Sequence, residues 1–373
     1  MADLLALQRR ELLLRELRAA GAVRVAELAA RYAVSLGTIR RDLGELATSG
    51  ALVRVRGGAV LPPGGAPGGP PADRQAVVAP RRPPPGGHRA AVRTIGLLVP
   101  SATRFYPPVI SGVRAVAARH RARVVIALSD HGQPRDLAQI DELRALGASG
   151  LLVAPADGAE TGPAVLDRLR ATGLPFVLVE RRPQDPYDPA EFVVSDHRKG
   201  AYAAVAHLAG LGHRRVALLA RTGLTAGQVR EGHAAAVRAL GLAEDAPALV
   251  PDGPVAGAPA AAAVGDAFLD SCLASGVSAA VVAAEGDAIM LLQRLRARAL
   301  RVPADLALVT CDDELAAVAE VPLTTVAPPK GRVGECATRL LLDRLDRPEQ
   351  EPPRGVVMQP RLVVRRSCGA ARD

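Results

Sequence analysis

The spacing of apolar residues divides the chain into a short helical part and a long part in which strands and helices alternate. Over residues 1–61 the spacing predicts three helices, at about 3–20, at about 26–32 and from Ser35 onward. Ser35 is a good N-cap for the third helix. The alternating run ALVRVRGGAV then predicts a small hairpin. The expected inward positions of the first and third helices are Leu5, Leu13, Leu17, Ile39, Leu43 and Leu46.

From residue 94 onward, short apolar runs alternate with helix-like stretches. The runs are TIGLLV (94–99), RVVIAL (123–128), GLLV (150–153), FVLV (176–179), RVALLA (215–220), AAVVAA (279–284) and LALVT (306–310). The helix-like stretches lie near 109–120, 135–146, 198–211, 228–240, 261–275 and 286–299. This alternation predicts an α/β fold with parallel sheets covered on both faces. So many strands favour two lobes, with a ligand bound in the cleft beyond the carboxyl ends of the strands.

A stretch rich in Pro and Gly separates the two parts. Of the 26 residues from 62 to 87, 15 are Pro or Gly, a composition that cannot form a packed core. We therefore expect four segments. They are a helical domain at 1–61, a flexible linker at 62–92, an α/β domain at 93–366 and a C-terminal tail at 367–373.

The charge of the chain is concentrated in its first quarter. The formal net charge is +9, and residues 1–61 hold ten Arg against six carboxylates, whereas residues 94–373 are nearly balanced. A local excess of this kind predicts that the helical part meets a polyanion, double-stranded DNA, and that the remainder does not.

The third helix and the hairpin carry the candidate DNA contacts. A capped helix that follows a short turn and presents guanidinium groups near its N-terminal end suits the major groove. Arg pairs bidentately with guanine, and hydroxyl groups hold phosphates. The alternative is that the arginines form a merely solvated helix face. The candidate residues are Ser35, Thr38, Arg40 and Arg41 on the helix, and Arg54 and Arg56 on the hairpin, which would be a wing.

Several classes of protein and site are disfavoured by what the sequence lacks. The four cysteines show neither CxxC pairing nor a His partner at metal spacing, so we expect reduced thiols, no metal and no cofactor. The N-terminus has no apolar signal segment, and no uncharged apolar run is long enough for a membrane helix. We expect a cytoplasmic protein without a membrane partner.

The helical part resembles a known family. The run ELAARYAVSLGTIRRDLGELATSGALVRVRGGAV is similar to the N-terminal winged helix of DeoR-type bacterial regulators, whose pattern includes an ELA segment, VS..TIRRDL and a GGA ending. The resemblance covers residues 7–60 and implies a winged helix-turn-helix that binds an operator.

The long part resembles a different family, the effector domain of LacI/GalR-type repressors, which has the two-lobed fold of periplasmic sugar-binding proteins. The matching stretches include VSDHRKGAYAAVAHLAGLGHRRVALL, QVREGHAAAVRALGL and VPADLALV followed by VPLTTV. Carried over by position, the resemblance nominates as ligand-binding residues Phe105, Tyr106, Asp130, Arg181, Asp196, Arg230, Asp287 and Asp312. Two of these, Asp196 and Asp287, could instead cap the helices that follow them. The chain contains no Asn, which departs from the family's frequent Asp-Asn pairs.

These resemblances imply a transcription regulator, a repressor that works as a homodimer and is controlled by a sugar-like effector. Because the linker replaces the hinge helix of LacI-type proteins, we expect the signal to act through dimer geometry. One alternative is that the second part serves dimerisation, or senses a sugar phosphate or a nucleoside. An α/β enzyme is disfavoured because GxSxG, P-loop, HExxH and GxGxxG motifs are absent from the sequence. An exported binding protein is disfavoured by the fused winged helix.

Overall fold

The protein forms two compact units in the computed structural model, residues 1–87 and residues 88–373. The structure describes residues 13, 17, 22–32, 34–48, 52–55, 58–60, 93–102, 105–129, 135–156, 158, 160–221, 225–250, 258–347 and 352–370. The predicted first helix lies outside the described residues except for Leu13 and Leu17, which are both buried. The predicted linker also lies outside them.

The first unit is a small helical domain with a three-stranded sheet. Its elements are β1 (Ala22–Arg24), α1 (Val25–Tyr32), α2 (Leu36–Thr48), β2 (Val53–Val55) and β3 (Gly58–Val60). The strands are antiparallel in the order β1-β3-β2, so β2 and β3 form the predicted hairpin. The sequence did not predict β1. The inward face of α2 is buried as expected, at Ile39, Leu43 and Leu46, and it packs in the same core as Leu13 and Leu17.

The second unit consists of two lobes, each built on a six-stranded sheet. The N-lobe contains β4 (Thr94–Val99), α3 (Pro107–Arg119), β5 (Arg123–Leu128), α4 (Asp136–Ala145), β6 (Gly150–Val153), β7 (Glu160–Thr161), α5 (Pro163–Ala171), β8 (Phe176–Val179), β9 (Arg182–Pro183) and β10 (Phe192–Ser195). It is completed from the end of the chain by α10 (Lys330–Asp346) and β16 (Gly355–Met358). The sheet order is β16-β10-β8-β6-β4-β5, and all the pairs are parallel.

The C-lobe repeats this arrangement. Its elements are α6 (His197–Gly210), β11 (Val216–Leu219), α7 (Ala226–Ala239), β12 (Ala248–Leu249), α8 (Ala258–Ala274), β13 (Ala279–Val282), α9 (Glu285–Ala297), β14 (Ala307–Cys311), β15 (Thr324–Ala327) and β17 (Arg361–Val363), with 3-10 turns at Ala316–Val318 and Arg366–Cys368. The sheet order is β12-β11-β13-β14-β15-β17, in which only β17 is antiparallel among the described strands. The predicted two-lobed α/β fold is confirmed.

Both sheets have helices on each face because their strands are apolar on both sides. In the N-lobe, α3 and α10 cover one face, and the buried residues of α4 and α5 pack on the other. In the C-lobe, α6 and α7 cover one face, and α8 and α9 cover the other. The strands β4, β6, β11, β13 and β14 are therefore fully buried, as is typical of a doubly covered parallel sheet.

The chain crosses between the lobes three times, and these crossings bring the carboxyl ends of the two sheets together. The crossings lie between β10 and α6, between β15 and α10, and between β16 and β17. The first and third are joined directly, because the Asp196 amide donates a hydrogen bond of 2.8 Å to the Met358 carbonyl.

The end of the chain is part of the C-lobe. Ser367 and Cys368 are buried, and the Ser367 hydroxyl donates to the Leu308 carbonyl at 2.6 Å. The packed part of this unit therefore continues past residue 366, and we extend the proposed effector domain to residue 370. In the part of the chain that the structure describes, no helix is both long and apolar enough to cross a membrane.

The packing of α3 against α10 depends on glycine. A Cβ atom built at Gly334 would overlap the Val109 carbonyl oxygen, so the two helices approach more closely than an Ala would allow. We expect Gly334→Ala to lower the free energy of unfolding by about 1–3 kcal/mol through overpacking. Urea denaturation of the full chain, followed by circular dichroism, measures it.

Gly210→Ala in the last turn of α6 is the matched control, since a Cβ there meets no atom within 4 Å. We expect that variant to be as stable as the wild type or more stable by up to about 1 kcal/mol. Equal losses in both variants would contradict the close approach of α3 and α10.

Candidate functional site

Two aromatic rings and a buried arginine line the N-lobe side of the cleft. Phe105 and Tyr106 follow β4 and pack edge to face, with ring centroids 5.4 Å apart. Arg181 follows β8 and is only 2% exposed. Burial raises the pKa of the Tyr106 hydroxyl, and the neighbouring Arg181 partly opposes this shift. The structure therefore brings together three of the predicted ligand-binding residues.

Glu180 and His197 join the end of the N-lobe sheet to the first crossing. The Glu180 carboxylate accepts hydrogen bonds from the Ser195 amide at 3.0 Å and from the Ser195 hydroxyl at 2.7 Å. Its Oε2 lies 4.0 Å from Nε2 of His197, the first residue of α6. The backbone of Glu180 turns in the left-handed region, with φ of 55°, which directs the chain away from β8. Neither residue was among those predicted from the sequence.

Lys330 joins the two lobes. It begins α10 of the N-lobe, its side chain is only 4% exposed, and its ammonium group pairs with Asp312 and with Glu314, the latter at 2.9 Å. The same ammonium lies 4.2 Å from the centroid of the Phe105 ring. Because Asp312 and Glu314 belong to the C-lobe, one cation contacts both sides of the cleft. Sequence reasoning missed Lys330, although it directly follows the VAPP segment of the LacI-type resemblance.

Asp196 and Asp287 are held by bonds within the protein. Asp196 is the N-cap of α6 and accepts a hydrogen bond of 2.9 Å from the Lys199 amide. Helix capping was the alternative to ligand binding that the sequence left open for this residue. Asp287 lies in the first turn of α9 instead of capping it. Its buried carboxylate forms a bidentate pair with Arg221, at 2.7 Å to Nε and 2.6 Å to Nη2. Arg221 follows β11 and was also missed.

The other two nominated residues are not joined to this group. Arg230 is exposed on α7, and among the described residues it forms no hydrogen bond or ion pair with the cleft residues above. Asp130 lies outside the described residues. The cleft that the structure describes therefore rests on Phe105, Tyr106, Glu180, Arg181, Asp196, His197, Asp312 and Lys330.

The DNA-binding module presents the predicted helix. The Ser35 hydroxyl caps α2 by accepting a hydrogen bond of 3.1 Å from the Thr38 amide, and it lies 2.9 Å from the Thr38 hydroxyl. Arg41 is exposed on the face opposite the buried Ile39. Arg40 lies in α2 and Arg54 in β2, where only the backbone is described. Arg56 lies outside the described residues.

Family models match both units. Residues 9–63 match a DeoR-like helix-turn-helix domain. Residues 92–263 match the model for periplasmic binding proteins and the sugar binding domain of the LacI family, and residues 205–368 match a periplasmic binding protein-like domain. The two matches of the second unit together span both lobes.

Relatives of known name share most of the chain. An uncharacterized HTH-type transcriptional regulator in the aml 5' region of Streptomyces limosus is 30% identical over 292 residues, which are 75% of this chain and 80% of that protein. The arabinose metabolism transcriptional repressor of Geobacillus stearothermophilus is 25% identical over 356 residues, which are 91% and 89% of the two chains. The structure of a transcriptional regulator CelR–cellobiose complex is similar with a TM-score of 0.62 and 26% identity, over 74% of this chain and 85% of that one.

A helix-turn-helix module joined to a two-lobed unit with a polar cleft defines a DNA-binding transcription regulator. The relatives are likewise transcription regulators and not enzymes. The chain belongs to the LacI family of transcription regulators, with a DeoR-like helix-turn-helix domain at its N-terminus. Both resemblances read from the sequence are confirmed.

Burial of histidines makes the stability of the protein depend on pH. Burial lowers the pKa of His197, against the opposing effect of Glu180, Asp312 and Asp196 and with a further lowering by Lys330. Burial also lowers the pKa of His207, His213 and His233. The unfolded chain therefore binds protons at higher pH than the folded one. The free energy of unfolding should fall as the pH drops through about 6.5.

We expect His197→Gln to reduce the loss of melting temperature between pH 7.5 and pH 5.5, because one of these neutral histidines is removed. Differential scanning calorimetry of the full chain across this range measures the slope. His120→Gln, in the exposed turn after α3, is the control and should retain the wild-type slope. An unchanged slope in His197→Gln would contradict the conclusion that burial of His197 makes the stability depend on pH.

Proposed function

We propose that this regulator is a repressor that binds a DNA operator as a homodimer and is controlled by a sugar-like effector held between the lobes. One observation carries the proposal: polar groups of both lobes meet at the carboxyl ends of the strands, where Lys330 joins Phe105 to Asp312. A ligand at this position contacts both lobes, so its binding energy favours one arrangement of them over another.

The residues of the cleft suit a polar ring compound. An aromatic ring such as that of Phe105 can pack on the apolar face of a sugar, Arg181 donates hydrogen bonds, and carboxylates accept them from hydroxyl groups. The names of two relatives agree with this chemistry, since one is a repressor of arabinose metabolism and another is bound to cellobiose. The proposed ligand-binding set is the one predicted from the sequence, with Lys330, Glu180, His197 and Arg221 as supporting residues.

The proposed DNA contacts lie on α2 and the wing. Ser35 and Thr38 stand at the start of α2, where hydroxyl groups and backbone amides hold phosphates. Arg40 and Arg41 follow within the next turn and would contact base edges, while Arg54 and Arg56 would contact the backbone or minor groove. One such helix reads a short half-site, so a homodimer reading two half-sites is proposed. We propose domain limits of 1–61 for this module and 62–92 for the linker.

The DNA contact of Arg41 is tested by Arg41→Ala. We expect affinity for a duplex obtained by in vitro selection to fall by about 1–3 kcal/mol at fixed salt, because a bidentate base contact is lost. Fluorescence anisotropy measures it. Arg238→Ala, an exposed arginine in the last turn of α7, removes the same charge from the other unit and should leave the affinity unchanged. An unaltered affinity in Arg41→Ala removes Arg41 from the base-reading set.

The ligand contact of Arg230 is tested by a thermal-shift screen of the full chain against pentoses, hexoses, their phosphates, polyols and nucleosides. We expect Arg230→Ala to abolish the stabilisation that a hit gives the wild type, while DNA binding is retained, since Arg230 is exposed and its loss leaves the fold intact. Arg238→Ala on the same helix serves as the control. Stabilisation retained in Arg230→Ala would exclude it from the site, and a screen without hits would favour a role for this unit in dimerisation.

A further inference from the structure

Arg181 is a buried cation whose hydrogen bonds go only to neutral groups. Its Nε donates to the Pro155 carbonyl at 3.1 Å, and its Nη1 donates to the Glu180 carbonyl at 2.8 Å. Its Nη2 is buried and makes no hydrogen bond within the described structure. A guanidinium has five N–H donors. The side chain also interacts with the Tyr106 hydroxyl, so Nη2 is the part of the guanidinium that is left without a partner.

The nearby carboxylates are engaged elsewhere. Glu180 accepts hydrogen bonds from the amide and hydroxyl of Ser195, and Asp136 accepts from the Ala156 amide at 3.1 and 3.2 Å. The other cation of this region, Lys330, already has carboxylate partners in Asp312 and Glu314. In the described part of the cleft, Arg181 thus differs from Lys330 in forming no ion pair.

A buried charge without a counter-charge is costly, and carbonyl dipoles do not neutralise it. A neutral sugar hydroxyl would add one more dipole. A carboxylate or phosphate would add the missing charge and two acceptor oxygens that match the guanidinium fork. Arg181 and the neighbouring Tyr106 are both buried, so the charge-assisted bonds would form in a low-dielectric environment.

We propose that the effector carries an anionic group, a carboxylate or a phosphate, that pairs with Arg181, which makes it a sugar acid or sugar phosphate in preference to a neutral sugar. The proposal rests on the proposed function, because it assumes that the effector lies in this cleft. Arg181 is thus the residue that would make the cleft prefer an anionic compound to a neutral compound of similar shape.

Matched pairs of compounds test the proposal on the wild-type full chain. Isothermal titration is made with D-glucose against D-glucuronate, D-gluconate and D-glucose 6-phosphate, with D-galactose against D-galacturonate, and with D-ribose against D-ribose 5-phosphate. We expect at least one anion to bind more tightly than its neutral partner by a factor of about 10 to 100, the range for hydrogen bonds to a charged group. The carboxylate and phosphate arms identify which anion is used.

The outcomes separate this proposal from the proposed function. A neutral sugar that binds as tightly as its anionic partners, or more tightly, retains the sugar-sensing cleft and overturns the anionic effector. If no member of any pair binds, the sugar-sensing function and the anionic effector fail together.

Variants of Arg181 localise the effect. Arg181→Gln should remove the preference for the anion, so that the two members of a pair bind with similar affinity, whereas Arg181→Lys should retain part of the preference. Arg182→Gln removes the adjacent, exposed charge and should have no effect. A preference that survives in Arg181→Gln assigns the anion to another residue and overturns the proposal. If Arg181→Gln does not fold, the titrations of the wild type with the matched pairs still test whether the effector is anionic.

Discussion

The ion pairs of Lys330 with Asp312 and Glu314 are the interaction on which the arrangement of the cleft depends. The ammonium group is almost fully buried, so it must keep its carboxylate partners, and those partners belong to the opposite lobe. The Pro328-Pro329 segment that precedes Lys330 is one of the three crossings, and Phe105 packs on the same ammonium. A movement of the lobes must therefore change this contact. In the function proposed above, this contact is the element whose equilibrium a bound ligand would shift.

The two units differ in net charge, and the difference suits the functions proposed for them. The net positive charge of the sequence lies in the DNA-binding module and the linker, where it favours a polyanion whatever its base sequence. The capped helix α2 carries the groups that we propose to read bases. The second unit is nearly neutral overall. Its charges are arranged locally, as in the Arg221–Asp287 and Lys330–Asp312 pairs, which hold the ends of the strands in place. Arg181 stands apart because its charge lacks such a partner within the described cleft.

The sequence predicted the fold well because its strands are short apolar runs with clear limits. The strands β4, β5, β6 and β8 coincide with the predicted runs to the residue. In the second unit it missed the helices α5 and α10 and the strands β7, β9, β10, β12, β15, β16 and β17. For α10, β10 and β16 the reason is that their inward faces can be judged only once the crossings have assigned them to the N-lobe. Periodicity shows which residues face inward, but not which lobe they enter. The same reason explains why the sequence did not reveal Lys330 and Arg221 as residues of the site. Lys330 pairs with carboxylates of the other lobe, and the Arg221–Asp287 pair joins two strand ends that are far apart in sequence. The Asp196 cap, in contrast, involves only residues close in sequence, and the sequence analysis predicted it as one of two possible roles for Asp196.

The central claim is that the cleft controls DNA binding, and the most direct test measures the coupling between the two sites. The affinity of the full chain for a duplex selected in vitro is measured by fluorescence anisotropy, without ligand and with a saturating concentration of a compound found in the thermal-shift screen. The account predicts a change in the dissociation constant of about 5- to 150-fold, the usual range of allosteric coupling. An identical dissociation constant with and without bound ligand would contradict it, because the cleft would then bind a compound without regulating the DNA-binding module.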